Sequence, residues 1–232
     1  MARERRLSRA AGLALAVASL AVHAATVTTA ATTTPGTALD RYLNGLNSLS
    51  AAFTQTVTDS QGAQLDAGSG HLLVQRPGRF RWDYQPAQAQ AGAAAADLRG
   101  QILVADGKNL WFYDRELAQV TVKPVAAALS STPIVLLSGS AAQLHDSFDI
   151  SGSGTRDGLD WVDVKPRSAE ADFTRAALGF AGDRLARMIV NDRLGQTVQL
   201  DFSHSERNAR IAADALRFQT PPGVDVIGTP QD

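Results

Sequence analysis

The sequence predicts a mainly β fold with short α-helices, an α+β chain built on one barrel or one strongly curved antiparallel sheet. Two observations carry this. About a dozen short segments alternate apolar and polar residues with a period of two, separated by turn residues. Only two segments carry signs of a helix, and both are short. No charge run or internal repeat marks a second domain, and 232 residues with 44% hydrophobic content suit one core.

Met1 to Arg9 carries four arginines and one glutamate, residues 10–22 are small and apolar, and Val22-His23-Ala24 precedes Ala25. A basic start, a short apolar stretch and a small-x-small exit predict a secretory signal peptide over residues 1–24. The apolar stretch of about 13 residues is too short to anchor the chain in a membrane. Residues 25–36, rich in Ala and Thr, are expected to be disordered, and a single domain is expected over 37–232.

The domain opens with a helix near Thr37, because Leu39, Tyr42, Leu43 and Leu46 recur at helical spacing. The period then becomes two: Leu49, Ala51, Phe53 and Val57 share one face of a strand. Further strands are expected at 68–75, at Phe80-Trp82-Tyr84, and at 102–105, 110–113 and 119–123. Others follow at 148–151, 159–165, 175–180, 185–192, 197–203 and 215–220. Residues 85–100 are low in complexity and predict a long flexible loop. In residues 130–139, Ser131 or Thr132 can cap a second helix, Pro133 fits its first turn, and Gly139 can end it. Its residues Ile134, Val135, Leu136 and Leu137 cover more than one face, so apolar surface must lie beneath it.

Composition excludes several functions. The formal charge is −1, and losing four arginines and one glutamate with the signal peptide makes it −4. That argues against nucleic acid as a partner. The absence of Cys rules out disulfides, thiolate metal sites and a cysteine nucleophile. His71, His145 and His204 have no metal-ligand spacing, and no GxSxG elbow occurs, so neither a metal, a cofactor nor catalysis is expected. Gly152-Ser153-Gly154 reads as a plain hairpin turn. In Gln75 to Tyr84 the three aromatics fall on one strand face, with Arg79 and Arg81 on the other. Arg76 is separate. Pro77 interrupts the ladder after it, and a guanidinium with five donors can bind the unpaired carbonyls of a helix end.

Several segments stand out in order. They are Gly70-His71-Leu72-Leu73-Val74-Gln75-Arg76-Pro77, Phe80-Arg81-Trp82, and the run from Asp106-Gly107-Lys108-Asn109-Leu110 through Trp111-Phe112-Tyr113-Asp114. Gln119-Val120-Thr121, Thr132-Pro133 with the apolar run to Leu137, and Phe218 to Val226 complete the set. Together these segments resemble the LolA family of outer-membrane lipoprotein carriers. The resemblance implies an incomplete barrel closed by a helical lid over a hydrophobic cavity. Phe80, Trp82, Leu103, Leu110 and Phe112 would form the cavity wall, and Ile134, Val135, Leu136 and Leu137 the lid. It implies that Arg76 bonds to the lid helices in the closed state. It further implies a monomeric periplasmic shuttle of lipoprotein acyl chains. Cargo would come from an inner-membrane ABC-type releasing complex and go to an outer-membrane receptor. The absence of Cys fits the shuttle better than a receptor anchored through an N-terminal Cys. A general periplasmic carrier or sensor of acyl-chain ligands with the same fold is the alternative. The loop at 85–100 is longer than the family usually has there.

Overall fold

The computed structural model describes residues 36–87, 99–125 and 133–231. The expected signal peptide, the segment 25–35 and the Ser131 or Thr132 cap therefore lie outside the described residues, as do residues 88–98 of the expected loop.

Helix α1 (Ala38–Leu43) starts at a capping box. The Thr37 hydroxyl accepts from the Asp40 amide at 3.2 Å, and the Asp40 carboxylate accepts from the Thr37 amide at 2.7 Å. Leu39, Tyr42 and Leu43 form its buried face. Strands β1 (Ser48–Thr58), β2 (Gln64–Gln75), β3 (Arg79–Pro86), β4 (Gln101–Ala105), β5 (Asn109–Asp114) and β6 (Gln119–Pro124) follow as an antiparallel meander. Helices α2 (Val135–Ser138) and α3 (Ala141–Ser147) come next. The chain then forms β7 (Phe148–Arg156), β8 (Leu159–Pro166), β9 (Phe173–Ala181), β10 (Arg184–Asp192) and β11 (Thr197–Arg207), and ends in β12 (Asp225–Ile227).

Among the described residues these strands make one open sheet, in the order β12-β6-β5-β4-β3-β2-β1-β11-β10-β9-β8-β7. The pairing of β1 with β11 joins the two meanders across about 150 residues of sequence, and only β12, beside β6, runs parallel. The sheet curves around its helices. One core holds Leu72, Val74 and Phe80 from the first meander and Val162, Leu178 and Leu185 from the second, with Leu39, Leu136 and Leu144 from the helices between them.

Three local expectations are corrected, and one helix is added. Residues 215–220 form no strand. Leu216 is buried and Phe218 half-buried because this segment lies across the outer sheet face, where Phe218 stacks on Trp111 at 5.3 Å and meets Tyr113 at 6.0 Å. The burial alternates, but the free edge of β6 is taken by β12. Gly152 and Gly154 lie inside β7 at a bulge, and the hairpin turn comes later, at Asp157 (φ +54°) and Gly158 (φ +73°). Gln85 and Pro86, expected in the loop, belong to β3. Helix α3 has no counterpart in the sequence reading, although Ser140 and Gln143 form a capping box at its start.

Candidate functional site

Inward-facing residues of β1, β3, β4, β10 and β11 surround an apolar pocket of about 230 Å³, with Pro133, Ile134 and Leu137 on its helical side. Its sheet wall is Gln55, Trp82, Leu103, Met188, Val190, Val198, Leu200 and Phe202. Register explains the grouping, since β3 pairs Trp82 with Leu103 and β11 pairs Leu200 with both Gln55 and Met188. Trp82 stacks on Phe53 with centroids 4.0 Å apart. That stack crosses β2 above Gly70, where an added Cβ would collide with the Phe53 ring.

The residues read from the sequence fall into three groups. Trp82, Leu103, Ile134 and Leu137 line the pocket. Phe80, Leu110 and Leu136 are buried in the core beside it, and Val135 packs against that core partly exposed. Phe112 is in register with Leu103, one strand farther from the pocket; it is 36% exposed and is not part of the lining.

Arg76 follows the last residue of β2 and spans two helix ends. Its Nε and Nη2 donate to the Gly139 carbonyl at 3.0 and 2.6 Å. Its Nη1 donates to the Leu43 and Leu46 carbonyls at 2.8 and 3.1 Å. Gly139 caps the C-terminus of α2, and Leu43 is the last residue of α1, so the guanidinium ties two helix ends together, filling the Gly139 carbonyl and adding a second donor to the Leu43 carbonyl, which also accepts from the Leu46 N–H at 3.2 Å. The next turn adds a backbone bond, Gly78 N–H to Ser138 O at 2.9 Å. Burial lowers the Arg76 pKa from the usual arginine value, and Tyr42 opposes that shift.

Sequence reasoning missed part of this arrangement. Arg207 donates to the Tyr42 and Asn44 carbonyls at 2.8 and 3.2 Å and lies 4.8 Å from the Tyr42 ring centroid. Asn208 accepts from the Asn47 amide at 2.8 Å. The end of β11 therefore fixes the end of α1 at carbonyls different from those that Arg76 takes. No local pattern announces this, because the partners lie about 160 residues apart. Met188, Val190, Val198, Leu200 and Phe202 lay within expected strands, and which strands would face one another was the missing information. Gln55 shares inward parity with Phe53 and Val57, but a polar residue gives no signal in a pattern of apolar alternation.

The His145 ring on α3 meets the Asp40 carboxylate on α1 at 2.8 Å. Burial raises the Asp40 pKa, but its bonds to Thr37 and His145 outweigh burial and hold it below the ordinary aspartate value.

An open sheet curved around an apolar pocket, with two helix ends tied together by Arg76, has the geometry of a binding protein. The family model described as outer membrane lipoprotein carrier protein LolA matches residues 44–219, and the chain belongs to that family. It is thus a carrier and not an enzyme. The chain is similar to outer-membrane lipoprotein carrier proteins of Methylococcus capsulatus, at 37% identity over 85% of this chain and 89% of the relative, and of Cupriavidus pinatubonensis, at 36% over 93% and 97%. Its fold is similar to that of an uncharacterized conserved protein from Thermus thermophilus, with a TM-score of 0.50 and 16% identity over 82% of this chain and 96% of that one.

Proposed function

We propose that this protein shelters the acyl chains of lipoproteins in the periplasm. It takes them from an inner-membrane ABC-type releasing complex and hands them to an outer-membrane receptor. The observation that carries this reading is the pocket between the sheet and α2, whose lining is apolar apart from Gln55 among the described residues. Each buried methylene is worth about 0.8 kcal/mol, so acyl chains leave a membrane at a useful rate only if a protein covers them.

At about 230 Å³ the pocket is smaller than the roughly 300–1,000 Å³ that encloses a drug-sized ligand. Loading therefore requires α2 to move away from Trp82 and Leu103, which is the motion of a lid. In the empty protein Ile134 and Leu137 pack on the wall; in the loaded protein lipid takes their place. That exchange keeps the net affinity modest and lets cargo leave without ATP. Arg76 holds the lid shut through Gly139, and its bonds break on loading.

The test is release of a lipoprotein from spheroplasts by the purified mature protein. The expected result is lipoprotein in the supernatant in complex with the protein. Lipoprotein that stays in the membrane fraction, with the releasing complex present and energised, would overturn the proposal.

A further inference from the structure

A second pocket, of about 480 Å³, opens on the outer face of the sheet against the C-terminal segment. Alternation along β3 puts it behind the apolar pocket, since Trp82 faces inward and its neighbour Arg81 outward. Its size falls within the roughly 300–1,000 Å³ of small-molecule sites. Its character is the opposite of the apolar pocket's. Arg81 of β3, Arg115 of the turn after β5 and Arg217 of the C-terminal segment line it, against one acidic residue, Asp214. The whole chain carries −1, so three arginines in one hollow are a local reversal of sign.

The two arginines outside the strands are delivered by fixed pieces of backbone. The Arg115 amide donates to the Gly100 carbonyl at 3.1 Å, which ties the β5–β6 turn to the residue before β4. The Arg217 amide donates to the Asp214 carbonyl at 3.0 Å, and the next residue, Phe218, is stacked on Trp111. Phe218 and Tyr113, 6.0 Å apart, give the pocket an aromatic wall. The charges are not spent internally. Arg81 gives its Nε to the Asp83 carboxylate at 2.8 Å. Among the described residues the Arg115 and Arg217 side chains have no ion pair or hydrogen bond, and Asp214 pairs with none of the three arginines.

We propose that this outer pocket binds a phosphate ester, with Arg115 and Arg217 as the groups that hold the anion. A guanidinium fork takes phosphate oxygens two at a time, and a tetrahedral phosphate presents oxygens in several directions. It can therefore engage forks from two chain segments at once. A planar carboxylate aligns with one fork and gains less from a second. Tyr113 and Phe218 cover the apolar part of the esterified alcohol. A soluble phosphate ester and a phospholipid headgroup share this chemistry. The inference is independent of the acyl-chain reading, because it uses no residue of the inner pocket.

The experiment has two arms, both at pH 7 and low salt. Calorimetry titrates the purified protein with glycerol 3-phosphate and with succinate, an anion of similar charge. Co-sedimentation uses phosphatidylcholine vesicles with and without phosphatidylglycerol. Glycerol 3-phosphate alone marks a soluble ester as the source; phosphatidylglycerol vesicles, with or without it, mark a headgroup. Arg115→Gln combined with Arg217→Gln is expected to weaken the bound probe by about tenfold or more, because two charge-assisted contacts are lost. Arg184→Gln combined with Arg210→Gln removes the same charge outside the pocket and is expected to change binding less than about twofold. Asp214→Asn is expected to tighten binding severalfold. Absence of binding to both probes, equal losses in the two double variants, or succinate held as tightly as glycerol 3-phosphate would overturn the proposal.

Discussion

The Arg76 guanidinium donates twice to the Gly139 carbonyl, at 3.0 and 2.6 Å, and so joins the end of β2 to the end of α2. The same side chain makes two bonds near the end of α1. Arg76→Leu leaves all three carbonyls without this donor. The expected loss of stability is roughly 2–4 kcal/mol, visible as a lower urea midpoint with an unchanged slope. Arg76→Lys should recover only part of it, because a single ammonium cannot match a planar fork. The lid proposal adds a functional expectation: Arg76→Leu loads lipoprotein but transfers it to receptor membranes poorly, because closure no longer repays release. Normal transfer by this variant would remove Arg76 from the gating role.

Leu137 is fully buried and also lines the pocket, which opposes two effects of Leu137→Ala. Truncation removes core contact and enlarges the hollow, at a cost of about 2–5 kcal/mol in the empty protein. The enlarged pocket should hold a chain with less displacement of α2. A saturating neutral acyl ligand is therefore expected to raise the thermal midpoint of Leu137→Ala by more than it raises that of the wild type. Equal shifts would mean that Leu137 serves the core and not the ligand.

The sequence was most legible where burial follows a strict local period. Phe53 in β1 and Phe80 and Tyr84 in β3 are buried as alternation requires, and Leu39, Tyr42 and Leu43 are buried as helical spacing requires. Arg76 could be matched to helix-end carbonyls because its chemistry suits that task, whereas which helices it reaches is a property of the fold. Long-range pairing was illegible. Nothing local shows that β11 lies beside β1, so neither the Arg207 contacts nor the far wall of Met188 and Leu200 could be read. Alternation also misled at Leu216 and Phe218, because a segment lying flat on a sheet face buries every second residue much as a strand does.

Gly68 and Gly70 show a second kind of long-range constraint. Each lies on the inward face of β2, and each makes room for a ring from a neighbouring strand, Tyr84 over Gly68 and Phe53 over Gly70. Gly68→Ala would press on the Gln85 backbone carbonyl of β3 as well as on the Tyr84 ring, and so disturb both the β2–β3 pairing and the bond from the Tyr84 hydroxyl to Asp66. The expected cost is about 1–3 kcal/mol. Pairing it with Tyr84→Phe tests the cause: with the hydroxyl already gone, the same alanine should cost less than in the wild type. Strict additivity would place the damage in the contact with the Gln85 carbonyl of β3 and not in the ring.

Tyr42 links the stability of the fold to alkaline pH. Its ring packs 5.3 Å from Phe180 and under Arg207, while its hydroxyl is buried without a hydrogen-bond partner among the described residues. Burial pushes its pKa up to about 12, with Arg207 and then Arg76 pulling the other way. In the unfolded chain the phenol titrates near 10, so between about pH 10 and 12 the folded state holds the proton more tightly than the unfolded state. Stability from this group is therefore complete below pH 10 and declines as pH rises through that window, by on the order of 2–3 kcal/mol. Tyr84, also raised, adds a decline of the same sign. Tyr42→Phe keeps the ring contacts and removes both the titration and the unpartnered hydroxyl. Urea unfolding from pH 7 to 11.5 should show this variant equal to the wild type or up to about 1 kcal/mol more stable at pH 7, with a shallower alkaline decline. A clear loss at pH 7 would mean that the hydroxyl makes a bond the fold depends on, and an unchanged alkaline slope would assign the decline to Tyr84.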